Sequence, residues 1–312
     1  MVNLFVKLIS NSINNVRRAP RLSICSYNYS SYGKNTCESG RKNSRTRDHM
    51  KRTEHSQRRK LFCSSKVVSL EELSPTVKGL KLFIEKRERI NAEFQAGQWV
   101  DMVIPGVDTV GGFSICNAPQ DLQQNGIIEL AVKFSDHPPA HWIHTKCSVG
   151  DEVSVRVGGN FYFQDNDRKH IVLIAGGVGI NPLYSILQHW RNLILKSPSN
   201  TADQQTAMVY SAKTIKELLF QEEILRICNE IKARCDFHVT KETTPILDLT
   251  NEAKTIRNEK VSRQSLSTSL NCINPNLANC YICGPPKFIE RIEEYLMDMG
   301  VLKQHIFYEK WW

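Results

Sequence analysis

The residues best suited to do chemistry are Gly176, Gly177, Val178, Gly179, Ile180, Asn181 and Pro182, which follow an apolar run, HIVLIA, and precede an amphipathic stretch. Glycines let a chain turn sharply and let a diphosphate approach the backbone without meeting a Cβ. A helix that starts right after such a turn offers unpaired N–H groups and the positive end of its dipole, which suits an anion. Pro182 fits the first helical turn, where its missing N–H leaves nothing unsatisfied. A glycine pattern alone is a weak signal; strand before and helix after make it the signature of a dinucleotide loop. The bland alternative is a tight turn of structural purpose only. On the ligand reading, Val at Gly177 or Gly179 is expected to abolish nucleotide binding while largely keeping the fold.

Other chemistry is poorly supported. Of ten cysteines, Cys280 and Cys283 alone have CxxC spacing, on an expected strand and with no second pair following. A structural zinc needs about four ligands, and a redox CxxC belongs at a helix start. Free thiols are the expectation, and no metal. The net charge of +9 suggests a polyanion partner until it is located: residues 1–60 hold 14 Lys and Arg against 3 acidic residues, and the remainder is slightly acidic. Nucleic-acid binding is therefore not expected. Within the leader, Phe5, Ile9, Ile13 and Val16 recur at helical spacing, and no acid precedes Glu38. A basic, acid-poor, amphipathic start suits a mitochondrial import peptide; the alternative is a disordered basic tail. No stretch approaches the roughly 18 apolar residues of a membrane span.

The loop must be held by regular elements, and two textures supply them. Residues 1–60 read as a basic import leader and disordered linker. Residues 63–166 carry six short runs separated by turn residues: KVVSLEEL, VKGLKLFIE, GQWVDMVIPG, GGFSICNAP, GIIELAVKF and DEVSVRVGG. Such a series predicts a small antiparallel β-barrel. In residues 167–312 strands alternate with helices, which predicts a parallel-sheet α/β domain covered on both faces. Leu183, Ile186, Leu187, Trp190 and Ile194 mark one face of the helix after the loop, and a second helix is expected over residues 216–232. The polar stretch from Lys241 to Asn279 gives only helix or loop.

The loop reads G-G-x-G-x-x-P, which resembles the nicotinamide-binding half of ferredoxin–NADP reductase-like enzymes. Three further segments agree in order: Tyr210-Ser211-Ala212-Lys213 with Glu217-Leu218-Leu219-Phe220, then Cys283-Gly284-Pro285-Pro286, then Glu309-Lys310-Trp311. The resemblance implies a flavin-binding barrel ahead of an NAD-binding domain, and hydride or electron transfer between NAD(P)H and an unidentified acceptor. It places Ser211 and Lys213 at the adenosine ribose and Cys283, Gly284 and Pro285 beside the nicotinamide. Glu309 becomes a candidate to bond or shuttle a proton near the reaction centre, and Trp311 a candidate to stack on the flavin. The alternatives are a solvated carboxylate and a core tryptophan.

The barrel departs from this pattern. Where the family carries R-x-Y-S/T, this chain has Gly111-Gly112-Phe113-Ser114. Phe113 keeps a ring to stack and Ser114 keeps the hydroxyl, but the Arg that would pair with the FAD diphosphate is missing. A second phosphate motif falls on His137-Pro138-Pro139-Ala140 without its Gly or hydroxyl; His137, His141 and Arg156 are candidates to compensate. Two readings compete: an FAD-dependent NAD(P)H oxidoreductase, and a flavin-free nucleotide-binding interaction or regulatory protein. NAD is the expected nicotinamide partner, with NADP open because Lys213 suits a 2′-phosphate.

Overall fold

Six strands build the first half of the chain: β1 (Cys63–Ser74), β2 (Val77–Phe83), β3 (Trp99–Val103), β4 (Gly111–Ser114), β5 (Ile127–Lys133) and β6 (Glu152–Gly158). The computed structural model describes residues 49–165, 170–196, 204–242 and 254–310. Along the start of β1 every second residue is buried (Cys63, Ser65, Val67), the alternation of a strand with one face to a core. The strand order is β4-β3-β6-β1-β2-β5, with antiparallel neighbours. A bridge from Ile115 to Leu130 and a 2.8 Å bond from the Cys116 amide to the Glu129 carbonyl join the two outer strands and close the barrel. Its interior holds Val67, Leu80, Leu82, Val100, Met102, Leu130 and Val155. Three short helices lie between strands: α2 (Arg89–Ala92), α3 (Pro119–Asn125) and α4 (Pro138–Thr145), the last two with Pro in the first turn.

The second half is β7 (His170–Gly176), α5 (Ile180–Lys196), β8 (Thr206–Ala212), α6 (Gln221–Glu230), β9 (Arg234–Val239), β10 (Lys254–Arg257), α7 (Arg263–Ser269), β11 (Ala278–Cys283), α8 (Pro286–Asp298) and β12 (Ile306–Glu309). All neighbours in the order β10-β9-β8-β7-β11-β12 are parallel. Every residue of β7 and β11 is buried, as helices on both faces demand. Leu173, Tyr210, Phe237 and Tyr281 pack toward α5 and α6; Val172, Ile174, Val209 and Ile282 pack toward α7 and α8. The mixed architecture read from the sequence, barrel then parallel α/β domain, is what the chain adopts. Among the described residues no helix is long and apolar enough to cross a membrane.

Three sequence expectations are corrected. Residues 49–60, expected to be part of a disordered linker, are built into the fold. α1 (His49–Arg52) packs on the barrel, with His49 1% exposed, and Arg58 bridges Gly158. The partner that composition could not show is Asp101, buried in β3. The single helix expected over 216–232 is two pieces, because Phe220 takes a left-handed φ of 57° before α6 begins. In the polar stretch after Lys241, read as helix or loop, Lys254–Arg257 instead forms strand β10, while α7 is a helix of the kind expected, started by a Ser262–Ser265 capping box. The leader periodicity and the tryptophans Trp311 and Trp312 fall outside the described residues.

Helix α5 ties the two halves together. Asn181 Nδ2 donates to the Ala131 carbonyl at 2.7 Å, Ser185 Oγ to Asn117 O at 2.7 Å, and Gln188 Nε2 to Cys116 O at 2.8 Å. Spacings of four and three put these side chains on one helical face. That face meets the barrel, beside the apolar stripe that covers the sheet.

Candidate active site

β7 runs up the middle of the parallel sheet. The chain leaves it toward β8 on one side and returns as β11 on the other, so β7 and β11 flank the point where strand order reverses. In open parallel sheets the crevice outside the carboxyl ends at this point is where ligands bind. The glycine loop stands there. Gly177 has φ +57°, a region open to glycine at little cost, and a Cβ added to it would meet nothing within 4 Å. Gly177 and Val178 are half-buried, whereas Ile180, Asn181 and Pro182 are buried in the start of α5.

The other glycines serve a different contact. A Cβ on Gly179 would lie 2.3 Å from the Cys283 carbonyl oxygen and 2.7 Å from the Gly284 amide nitrogen. One on Gly176 would meet Pro285 at 3.0 Å, and one on Gly284 would meet Gly176 Cα at 3.1 Å. The loops after β7 and β11 therefore touch backbone to backbone, and Gly176, Gly179, Cys283, Gly284 and Pro285 form one cluster. Two sequence assignments change here. Gly179 keeps a neighbouring strand close instead of making room for a ligand, so Val there would disturb the fold. The side chains of Asn181 and Ile180 are committed elsewhere: the first holds the barrel, and the second is core.

Further along the same edge, Gly176 pairs with Ser211 and Ser211 with His238, while Cys283 pairs with Ala175 on one side and Glu309 on the other. Ser211 is half-buried and Lys213, just beyond β8, is exposed. Cys283 is 1% exposed. Burial, and secondarily the Glu309 carboxylate, push its thiol well above the ordinary 9.0, so at neutral pH it is a protonated, polarizable packing group and not a thiolate. Cys280 belongs to the opposite face of the sheet, so the CxxC sulfurs cannot converge. Among the described residues no cluster of His, Cys, Asp and Glu could hold a metal.

The barrel residues fit a dinucleotide flavin poorly. A side chain at Gly111 would meet the Phe113 ring at 2.5 Å and Pro139 at 2.9 Å. One at Gly112 would meet the His49 imidazole at 2.2 Å. The position from which an Arg would reach a diphosphate is thus closed in by the chain's own rings. Arg156 does not compensate, because its Nε and a terminal nitrogen bind Asp101 at 2.9 and 2.6 Å. His141 is 3.3 Å from Thr145 Oγ1 within its own helix, and His137 precedes α4, half-buried. Ser114 is buried opposite Trp99 of β3. These residues therefore leave no Arg free at the place where the resemblance puts a flavin diphosphate.

A cavity of about 430 Å³ lies along β12, within the usual range of ligand pockets. Trp99, Asn160 and Phe161 of the barrel line one side. Ile306, Phe307, Tyr308, Glu309 and Lys310 line the second, and Arg52, Thr53 and Ser56 the third. Glu309 is 9% exposed and reaches both the cavity and, by register, Cys283. Apart from Lys310, quoted beside Glu309 without a role, sequence reasoning missed the other residues of this cavity. Asp101 was the one available signal, an acid amid Val100, Met102 and Val103 on a strand.

Comparison with known proteins agrees with this geometry. The family model for the oxidoreductase NAD-binding domain matches residues 173–294, from β7 into α8. The oxidoreductase NAD-binding domain-containing protein 1 of Danio rerio is 45% identical over 274 residues, spanning 86% of this chain and 98% of that protein. The Homo sapiens protein of the same name is 41% identical over 280 residues, 87% of this chain and 86% of that one. A ferredoxin NADP+ reductase from Neisseria gonorrhoeae, solved with FAD and NADP, superposes with a TM-score of 0.64 at 18% identity, over 80% of this chain and 99% of that one, which is a likeness of fold. A glycine loop at the switch point, a nicotinamide-binding domain that matches its family model, and relatives aligned nearly end to end converge on one conclusion: this chain belongs to the oxidoreductase NAD-binding domain-containing protein 1 family.

Proposed function

We propose that the chain is an NAD(P)H-dependent oxidoreductase that takes hydride from NADH and passes it to a separate acceptor at the Glu309 cavity. One observation carries the reading: the open space over left-handed Gly177 at the switch point, beside the first turn of α5. Backbone amides of the glycine loop and the dipole of α5 would hold the diphosphate. The Gly179–Cys283 contact fixes the floor of the crevice, and the neutral Cys283 thiol packs there without adding charge. A bound dihydronicotinamide supplies a hydride; the acceptor gains that hydride, with its electron pair, and one further proton. Glu309 reaches the cavity from beside Cys283 and is the group suited to hold that proton. Exposed Lys213 is the residue that would admit the 2′-phosphate of NADP.

FAD as a bound carrier is not part of this reading, because Phe113, Pro139 and His49 close around Gly111 and Gly112. The same observation favours a second reading, a flavin-free nucleotide-binding module without turnover. The basic, acid-poor leader supports mitochondrial import. The test is calorimetric titration of the purified chain with NADH, its visible spectrum, and NADH oxidation with added acceptors. Micromolar binding, no flavin band near roughly 450 nm and acceptor-dependent oxidation are expected. Absence of binding at millimolar NADH refutes both readings; binding without oxidation by any acceptor leaves the second.

A further inference from the structure

The segment from His49 to Arg59 is built into the barrel as a strap. His49 Nε2 lies 2.8 Å from Asp101 Oδ1, and its ring meets the Trp99 indole edge-on at 4.9 Å. Arg58 Nε donates to Asp101 Oδ2 at 2.9 Å, and its guanidinium sits 4.9 Å from the centre of the same indole. Backbone bonds finish the attachment: the Arg59 amide to Val157 O at 2.9 Å, and the Gly159 amide to Gln57 O at 2.9 Å. Asp101 is 0% exposed and also receives Arg156. A fully buried carboxylate persists only when paired and hydrogen-bonded; two of its three partners come from the strap.

The strap is also a wall. Its Arg52, Thr53 and Ser56 line the cavity that Glu309 reaches. A chain of contacts runs from the barrel interior to that wall: Asp101 holds Arg58, and Arg58 donates to the Thr53 carbonyl and hydroxyl. The opposing wall offers the half-buried rings of Phe307 and Tyr308, with Trp99 and Phe161 buried behind the cavity, and basic Arg52, Lys303 and Lys310 outnumber the one carboxylate. Two aromatic rings on β12 with a basic rim suit a planar aromatic ligand better than an aliphatic or cationic one.

We infer that the strap completes the acceptor site, that the acceptor is a planar aromatic two-electron oxidant of the quinone or indophenol type, and that Asp101 is the positioning residue that holds the wall in place. This deepens the proposed function and rests on it for turnover, though not for binding. The C4–H bond of the dihydronicotinamide breaks with its electron pair, a bond to the acceptor forms, and the acceptor takes one proton; NADH is oxidised and the quinone reduced.

The experiment uses the full chain, with 2,6-dichlorophenolindophenol and menadione as probes. Binding is read by quenching of tryptophan fluorescence, and turnover by NADH oxidation. Thr53→Trp, which fills the wall, and Asp101→Asn, which releases it, are expected to raise the probes' Kd and KM at least tenfold, with the Kd for NADH held within twofold. Thr53→Ser should restore wild-type values. If the wild type binds NADH but neither probe, or if Thr53→Trp folds and binds them as the wild type does, the strap assignment is overturned while the dinucleotide site stands. If NADH fails to bind, the proposed function falls, and probe binding still decides the strap. Should Asp101→Asn fail to fold, Thr53→Trp decides alone.

Discussion

Substituting Gly179 by Ala tests whether the glycine loop is shaped by its ligand or by a neighbouring strand. The added methyl would lie 2.3 Å from Cys283 O and 2.4 Å from Cys283 C, where ordinary contact begins at 3.4 Å. The loops after β7 and β11 must therefore part by about 1 Å, and both sides of the contact are backbone. Overpacking of this kind costs roughly 1–3 kcal/mol, and at about 2–4 °C per kcal/mol for a chain of this size the melting temperature should fall by roughly 3–10 °C. A shift of about 1 Å near the reacting centre costs on the order of 100-fold in rate. The control is Gly177→Asn. Asn tolerates the left-handed region, and nothing stands within 4 Å of the new Cβ, so stability should change by less than about 1 kcal/mol while NADH affinity drops at least tenfold. Differential scanning fluorimetry and calorimetric titration of both variants separate the effects. A Gly179→Ala protein that melts like the wild type and loses only NADH affinity would refute the argument, because the methyl would then point at the ligand.

Asn181→Ala removes the amide that donates to Ala131 and leaves that carbonyl unpaired, at a cost of about 1–3 kcal/mol; the melting temperature should fall with NADH Kd unchanged, and the opposite pattern would return Asn181 to the nucleotide site. Lys213→Ala should weaken NADPH about tenfold, the order of one charge-assisted contact, and leave NADH unaffected, as competition titrations will show. Burial alone would raise the Asp101 carboxyl, but bonds from His49, Arg156 and Arg58 outweigh it and hold its pKa below the ordinary 3.8. That stabilisation is complete above the unfolded value and is lost as pH falls through the native one. The gap in melting temperature between wild type and Asp101→Asn should therefore be constant near neutrality and shrink on acidification below about pH 4. If the leader is removed on import, the mature N-terminus should fall before His49, which mass spectrometry of protein from mitochondria will read; a start after Arg58 would leave Asp101 buried with only Arg156.

The strand–turn–helix around Gly176–Pro182 was legible because three signals coincide there: an apolar run, glycines, and a stripe at helical spacing. The barrel was legible for a similar reason, since its core positions alternate over several residues. β10 was not, because Lys254–Arg257 is four residues long and carries Ile256 as its sole large apolar side chain. The break before α6 left no trace either: Phe220 adopts a left-handed turn that composition assigns to Gly or Asn. Within the site, the Cys283–Gly284–Pro285 and Glu309 positions followed from resemblance, and strand register brings them together. Asn181 was misread because a polar side chain in a nucleotide loop looks like a ligand contact. Only the three-dimensional partner, Ala131 on β5, reveals a docking bond.

The strap escaped detection for a reason that also explains the barrel's odd glycines. Gly112 leaves room for the His49 imidazole, and Gly158 and Gly159 leave room for the Trp99 indole, whose ring atoms would lie 2.6 and 2.7 Å from added Cβ atoms. Trp99 in turn carries Arg58 on its ring, and both strap residues reach Asp101. These glycines are therefore spaces, each filled by a ring or stacked side chain from a distant part of the chain. Where a flavin-binding barrel resembling this one would present an Arg, glycine here admits the protein's own aromatic groups. The same residue type thus marks three physical situations within one chain: a left-handed turn at Gly177, a backbone contact at Gly179, and seats for rings at Gly112, Gly158 and Gly159. A linear pattern cannot tell them apart, because the group that each glycine makes room for lies elsewhere in the sequence or outside it.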